Sequence, residues 1–214
     1  MQKKSSKPSK PAHGAPRLAP RQVRIIGGAW KRALLPVLDA DGLRPTPDRV
    51  RETVFNWIRH QLGGDFAGAS FLDLFAGSGA LGFEAASRGA ASVTMVDSHG
   101  AAARQLEANR DKLKAENVKV LRADAMALVK DLAVRGQRFD VLFLDPPYGL
   151  GLLSQILPLC PAILNEDGLV YAETGEALPL NGEQPDWLSG WEAIRLDKAG
   201  MVYYYLLKRK DSGT

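Results

Sequence analysis

The segment FDVLFLDPPYGLG, residues 139–151, runs a short apolar strand into an acid, two prolines and a tyrosine. Its run at 141–144, Val-Leu-Phe-Leu, is apolar without alternation, the pattern of a strand covered on both faces by the helices of a parallel sheet. Pro146 and Pro147 lack the backbone donor that a strand or a helix needs to continue. Asp145 and Tyr148 are therefore held on a stiff turn at the carboxyl end of a strand, the edge at which open α/β sheets bind ligands.

The surrounding chain repeats the alternation that this reading requires. Strands are predicted at 70–75, 92–96, 119–122, 140–144 and 169–173, with helices near 80–88, 101–115, 125–134 and 152–163 between them. Beyond Trp191 the pattern changes to strands at 192–196 and 202–208 joined by Lys198-Ala199-Gly200, an antiparallel hairpin closing the sheet edge. The expected fold is α/β, Rossmann-like, with seven strands, mostly parallel, and helices on both faces.

Composition narrows the function. At 214 residues and 45% hydrophobic content the chain suits one globular domain, and no apolar stretch is long enough to span a membrane. Residues 1–20, rich in Lys, Pro and Ser, lack the apolar run of a secretory signal and read as a disordered basic tail. Cys160 is the one cysteine, and His13, His60 and His99 are scattered, so neither a disulfide framework nor a zinc cluster is assembled. A reducing cytoplasm and chemistry without a metal are expected.

Charge is unevenly spread. Residues 1–60 carry 13 Lys and Arg against 4 Asp and Glu, and the remainder carries 15 against 20. A basic arm thus precedes an acidic body, which suits contact with phosphate backbones or, equally, a solvated surface. Within the segment at 21–35, Arg21, Arg24, Lys31 and Arg32 interleave with Trp30, which favours contact with a phosphate backbone, and Gly27-Gly28 marks a tight turn in a small hairpin. A helix follows, with Thr46 as its cap, Pro47 at its first position and Asp48 at the positive end of its dipole. Val50, Val54, Trp57, Ile58 and Leu62 form its core stripe, and Arg51, Glu52 and Asn56 are expected on the solvated face. The tail at 1–20, the basic extension at 21–62 and an α/β domain at 63–214 make up the expected organisation.

The first strand of the sheet leads into DLFAGSGALGFEA, residues 73–85, where Gly77, Gly79 and Gly82 satisfy G-x-G-x-x-G and Asp97 ends the next strand. Such a turn lets backbone approach a nucleotide-like ligand, and the acid accepts bonds from ribose hydroxyls. Nicotinamide dinucleotides use the same fingerprint, but a dehydrogenase would also need a substrate domain, for which this chain has no room. The pairing with Asp145-Pro146-Pro147-Tyr148, on a strand adjoining the first, places an acid beside the bound cofactor.

These residues resemble the S-adenosylmethionine-dependent methyltransferases that modify exocyclic amines of nucleic-acid bases. More narrowly, RIIGGAWKRALL, LRPTPDRVRETVFNWI and FLDLFAGSGALGFEAASRGA together resemble the RsmD family, which methylates the N2 amine of a guanine in small-subunit (16S) ribosomal RNA. The likeness covers residues 22–208 and implies a class I methyltransferase fold, with S-adenosyl-L-methionine as cofactor and ribosomal RNA as partner, free or within an assembled or partly assembled subunit. It places the methionine moiety at Asp73, Gly77 and Gly79, the ribose at Asp97 and the adenine at Asp124 and Ala125, with Phe75 and Ala76 also among the cofactor-binding residues. Arg44, Pro45 and Thr46 match a family segment near the cofactor. Asp97-Ser98 departs from the family, whose members often have glutamate and a charged neighbour there. For Asp124, a capping role before the 125–134 helix is the competing reading.

The implied chemistry accounts for the residue types. A guanine N2 amine is a poor nucleophile because its lone pair is delocalised into the ring. The Asp145 carboxylate and the Pro146 carbonyl, aimed at the two amine hydrogens by the Pro146-Pro147 turn, would draw the nitrogen towards tetrahedral geometry and stabilise its developing positive charge, while Tyr148 stacks on the extruded base. A DNA or RNA methyltransferase acting on adenine N6 or cytosine N4 presents a similar amine to the same turn, and a catalytically silent RNA-binding factor is the alternative from another class.

Overall fold

In the computed structural model, residues 22–37, 46–148 and 151–210 are described. Arg21, Arg44 and Pro45 fall outside them, as do residues 1–20. Two short strands, β1 (Gln22–Arg24) and β2 (Leu34–Pro36), pair antiparallel ahead of α1 (Asp48–Gln61). There follow β3 (Ser70–Asp73), α2 (Ala80–Ser87), β4 (Ser92–Asp97), α3 (Gly100–Leu113), β5 (Val118–Arg122), α4 (Ala125–Val134), β6 (Phe139–Leu144) and α5 (Leu152–Ile156). The chain ends through β7 (Leu164–Thr174), α6 (Asp186–Ser189), β8 (Trp191–Ala199) and β9 (Val202–Arg209).

The seven-stranded sheet has the order β5-β4-β3-β6-β7-β9-β8. Its first five strands pair parallel, and β9 runs antiparallel between β7 and β8. This is the mostly parallel sheet with a terminal hairpin that the apolar runs predict. Because β3 lies between β4 and β6, the chain reverses its direction of travel there, and a crevice opens above the carboxyl ends of those strands.

Alternation along the strands divides the core into two layers. Phe71, Met95, Phe143, Tyr171 and Leu206 face one side, and Leu72, Val96, Leu142, Val170 and Leu207 face the other. On the first side α1 sends in Val54, Phe55 and Ile58, all fully buried, and Phe55 meets Phe143 edge-on at 5.8 Å. Removing such a ring costs roughly 3–5 kcal/mol. Ile25, Leu35 and Val50 belong to the same layer, so the basic extension is packed onto the sheet.

Several expectations are corrected. The helix predicted at 152–163 is α5 followed by a 3₁₀ segment, Leu157–Ala162, because Pro158 and Pro161 remove the donors an α-helix would use. Gly27-Gly28 does lie in a small hairpin, β1–β2, where Gly28 is left-handed at φ 76° and its carbonyl accepts from the Lys31 N–H at 3.2 Å, although the connection is longer than a tight two-residue turn. Thr46 does not cap α1, which starts at Asp48 with Pro47 at the capping position, because the Thr46 hydroxyl is engaged elsewhere. Arg51, expected on a solvated face, is 1% exposed. Its Nη2 donates to the Arg24 carbonyl and to Asp48 Oδ1, its Nε to the Thr46 carbonyl, and its Nη1 lies 3.5 Å from the fully buried Glu84 carboxylate. Glu84 in turn accepts from the backbone of Ile26 and Gly27 and from Arg88, which binds the basic extension to α2.

Candidate active site

Five parallel strands end at one rim, and each brings an acid there. Asp73 closes β3, Asp97 closes β4, Asp124 follows β5, Asp145 follows β6 and Glu173 sits at the end of β7. All five line one cavity of about 820 Å³ above the switch point. No Lys or Arg is among the described residues that line it.

The glycine loop forms one wall. Gly79 is left-handed at φ 77°, and a Cβ there would lie within 2.7 Å of the Phe83 ring and Leu106. A Cβ on Gly82 would fall 2.3 Å from Met95 Sδ, so this glycine lets α2 press against β4. Gly77 donates its N–H to Asp97 Oδ2 at 2.9 Å, and His99 donates its N–H to Oδ1 at 2.7 Å, which holds Asp97 in place at the loop.

Asp73 is 1% exposed, and its Oδ1 has no hydrogen-bond partner among the described residues. Burial raises its pKa to about 7 against the opposing backbone N–H groups of Phe75 and Gly82, with the charges of Asp97 and Glu173 adding to the rise. Asp145 is pushed well above the ordinary carboxylate range by burial, then by Glu173 and Asp73. Burial also raises Glu173, although the hydroxyls of Tyr171, Thr46 and Tyr148 oppose the rise. An acid-rich cavity with no Lys or Arg among its described lining residues suits a cationic ligand and would repel a pyrophosphate.

The other expected cofactor-binding and catalytic residues that the structure describes line the same cavity. Phe75 and Ala76 line the cavity, and Ala76 donates its N–H to the Val96 carbonyl. Asp124 does cap α4, accepting from the Ala127 N–H at 2.8 Å, and it lines the cavity beside Ala125 as well. Pro146 is buried, and Pro147 and Tyr148 are exposed at the cavity's edge. The Tyr148 ring lies along Gly175, and its hydroxyl, 3.5 Å from Glu173 Oε2, is held protonated by burial and by the neighbouring Asp145 and Glu173 charges.

Sequence reasoning missed Glu173 and the hairpin tip. Glu173 is 4% exposed and accepts from Tyr171 at 2.7 Å and Thr46 at 2.8 Å. The signal was an acid at the end of an apolar strand, the same signal that singled out Asp145. Gly200 and Met201, between β8 and β9, also line the cavity, with Met201 exposed at its mouth.

Of the residues expected to contact RNA, Lys31 and Arg32 are exposed, Arg24 is ion-paired with Asp48, and Trp30 is partly buried against the core.

A family model described as "Conserved hypothetical protein 95" matches residues 23–208. Ribosomal RNA small subunit methyltransferase D of Escherichia coli is 41% identical over 90% of this chain and 92% of its own. The chain belongs to the RsmD family. Another RsmD relative, from Haemophilus influenzae, is 39% identical over 86% of this chain and 93% of its own. Among solved structures, a putative methyltransferase, yhhF, of Escherichia coli superposes with a TM-score of 0.72 at 40% identity, covering 89% of this chain and 99% of that one. A putative methyltransferase, SMU.776, complexed with SAH shares the fold, with a TM-score of 0.65 at 20% identity over 92% of this chain and 58% of its own. The RsmD match spans both the glycine loop and the Asp145-Pro146-Pro147-Tyr148 turn.

Proposed function

We propose that this protein is an S-adenosylmethionine-dependent methyltransferase that modifies the exocyclic N2 amine of a guanine in small-subunit ribosomal RNA. The observation that carries the reading is the cavity at the switch point, lined by five carboxyl groups without Lys or Arg among the described residues, one of them with a buried unpartnered oxygen. The residues fit the cofactor. Asp73 Oδ1 suits the methionine ammonium, the Gly77–Gly79 backbone leaves room for close approach, and Asp97 keeps acceptor capacity for ribose hydroxyls. Asp124 and Ala125 would meet the adenine; a carboxylate oxygen accepts more than one bond, so the cap on α4 is compatible with that contact. Arg44 would lie near the same ligand, as the family resemblance implies.

The cofactor supplies a methyl group on a positively charged sulfur. The protein's residues prepare the nucleophile. Tyr148, at the cavity edge, offers a face for the extruded base, and the Pro146-Pro147 turn fixes the carbonyl and the Asp145 carboxylate as acceptors for the two amine hydrogens. These acceptors counter the positive charge that develops on nitrogen, and Asp145, with its raised pKa, is suited to take the proton the amine must lose. Lys31 and Arg32, with Arg21 and Arg24 on the same arm, would neutralise RNA phosphates, and Trp30 would support the arm from within.

Mass analysis of ribosomal RNA from cells lacking the protein tests this reading. It is expected to show one small-subunit guanine without its N2 methyl group. A change at an adenine or cytosine amine would move the substrate to another base, and unchanged RNA would overturn the assignment.

A further inference from the structure

The acids of the cavity differ in how they are held. Asp97 and Asp124 receive backbone N–H groups, and Asp73 lies against two. Glu173 is held by side-chain hydroxyls from different parts of the chain. Thr46, ahead of α1, and Tyr171, on β7, both donate to Oε1, and Tyr148 reaches towards Oε2 from the catalytic turn. A carboxylate that is 4% exposed carries a desolvation cost unless it is fully satisfied, and an amide of similar shape would spare the cavity a like charge beside Asp145. Retention of the charge there needs a reason.

We propose that Glu173 is a positioning residue for methyl transfer, acting through Asp145 and Tyr148. Pinned by Thr46 and Tyr171, its carboxylate lines the same cavity as Asp145 and keeps that group a strong enough base for the target amine. This deepens the methyltransferase reading and rests on it. In the step concerned, the amine nitrogen gains a bond to the methyl carbon as the carbon–sulfur bond breaks and its electron pair stays on sulfur. The N–H bond then breaks with its pair left on nitrogen, and the proton passes to an Asp145 oxygen and on to water.

The groups that face this pair are Asp73 from β3, Tyr148 from the turn, Tyr171 from β7 and, more distantly, Tyr204 from β9. Glu173 is also connected to the basic extension, because the Thr46 carbonyl accepts from Arg51, which itself donates to the Arg24 carbonyl. The residue that adjusts Asp145 is thus fixed by the same strut that carries the arm.

The test is the pH profile of methylation by Glu173→Gln, measured on small-subunit particles that lack the modification. Loss of the Glu173 charge should weaken Asp145 as a base, so kcat at the plateau should fall roughly 10- to 100-fold. The same loss removes one cause of the raised Asp145 pKa, so the acid limb should move to lower pH and the variant's deficit should shrink as pH falls. A merely structural role would lower the rate evenly. Thr46→Val removes one hydroxyl that favours the ionised Glu173, so the Glu173 pKa should rise, its charge should be lost over part of the pH range and the limb should move the same way by less; this variant serves where the glutamine variant does not fold. Parental kcat and an unmoved limb in the variants that fold would overturn the inference. The parent and Asp145→Ala separate the two claims: an active parent silenced by Asp145→Ala keeps the methyltransferase reading whatever Glu173 does, and an inactive parent removes both.

Discussion

Two sets of buried charge lie on either side of α2, and they are treated in opposite ways. Behind the helix, Glu84 is met by Arg88, by Arg51 and by two backbone N–H groups, and Arg51 is met by Asp48 and two carbonyls. In front of it, burial raises the pKa of Asp73, Asp145 and Glu173, the Glu173 charge adds to the rise at both aspartates, and no cation is among the described residues of their cavity. Paired charge of the first kind fixes one arrangement of chain, whereas unpaired like charge of the second kind waits for a ligand of opposite sign. The glycine helix is the partition between a structural knot and a binding site.

Breaking the knot should have the largest effect on stability. Glu84→Ala would leave Arg51 short of a partner and strand the N–H groups of Ile26 and Gly27, at a cost of about 3–5 kcal/mol read by chemical denaturation. Wild-type stability in that variant would mean the pairing is incidental. Asp145→Ala should do the reverse, lowering kcat on the order of 10²–10³-fold with cofactor affinity nearly unchanged in calorimetry. Asp145→Asn, which removes a like charge, should leave the unliganded protein at least as stable at pH 8.

A smaller effect should follow pH. The pKa of Asp73 is raised to about 7 in the fold, above its ordinary value of 3.8, so its contribution to the stability of the unliganded protein is fully present below that lower value and is lost as pH rises through about 7. Binding a cation needs the ionised form, so S-adenosylmethionine affinity should weaken as pH falls below about 7, by at most about tenfold per unit for this one group. Calorimetry in buffers of different ionisation enthalpy would register the released proton. Affinity that strengthens on acidification would contradict the assignment of Asp73.

The arm sharpens the comparison from outside. The charge of Arg24 is already shared with Asp48, whereas Lys31 and Arg32 are exposed. Replacing Lys31 and Arg32 by glutamine should flatten the plot of log RNA affinity against log salt by roughly 0.7–0.9 per lost phosphate contact, more than replacing Arg24 does, with cofactor affinity preserved. An unchanged slope would make the arm a solvated surface.

What the sequence reveals divides along the same partition. Strand positions, the glycine loop, Asp97 and the Asp145 turn follow from local rules, because an apolar run and its punctuation by Gly or Pro act within a few residues. Arg51 and Thr46 do not. Their neighbours along the helix read as solvent-facing or capping, and the partners that decide otherwise, Glu84 and Glu173, come from distant strands and helices. Glu173 itself was legible as an acid at a strand's end, but its role depends on Tyr148 and Asp145 arriving from another strand. Pro158 and Pro161 lie inside the helix expected at 152–163, and the donors they lack turn its second half into a 3₁₀ segment.

The measurement that tests the central claim most directly is transfer of a labelled methyl group from S-adenosylmethionine to unmodified small-subunit particles by the purified protein, with Asp145→Ala alongside, followed by nucleoside analysis. The account predicts label in N2-methylguanosine with the parent and a loss of two to three orders of magnitude in rate with the variant. Label on an adenine or cytosine amine, or an Asp145→Ala variant as active as the parent, would contradict it.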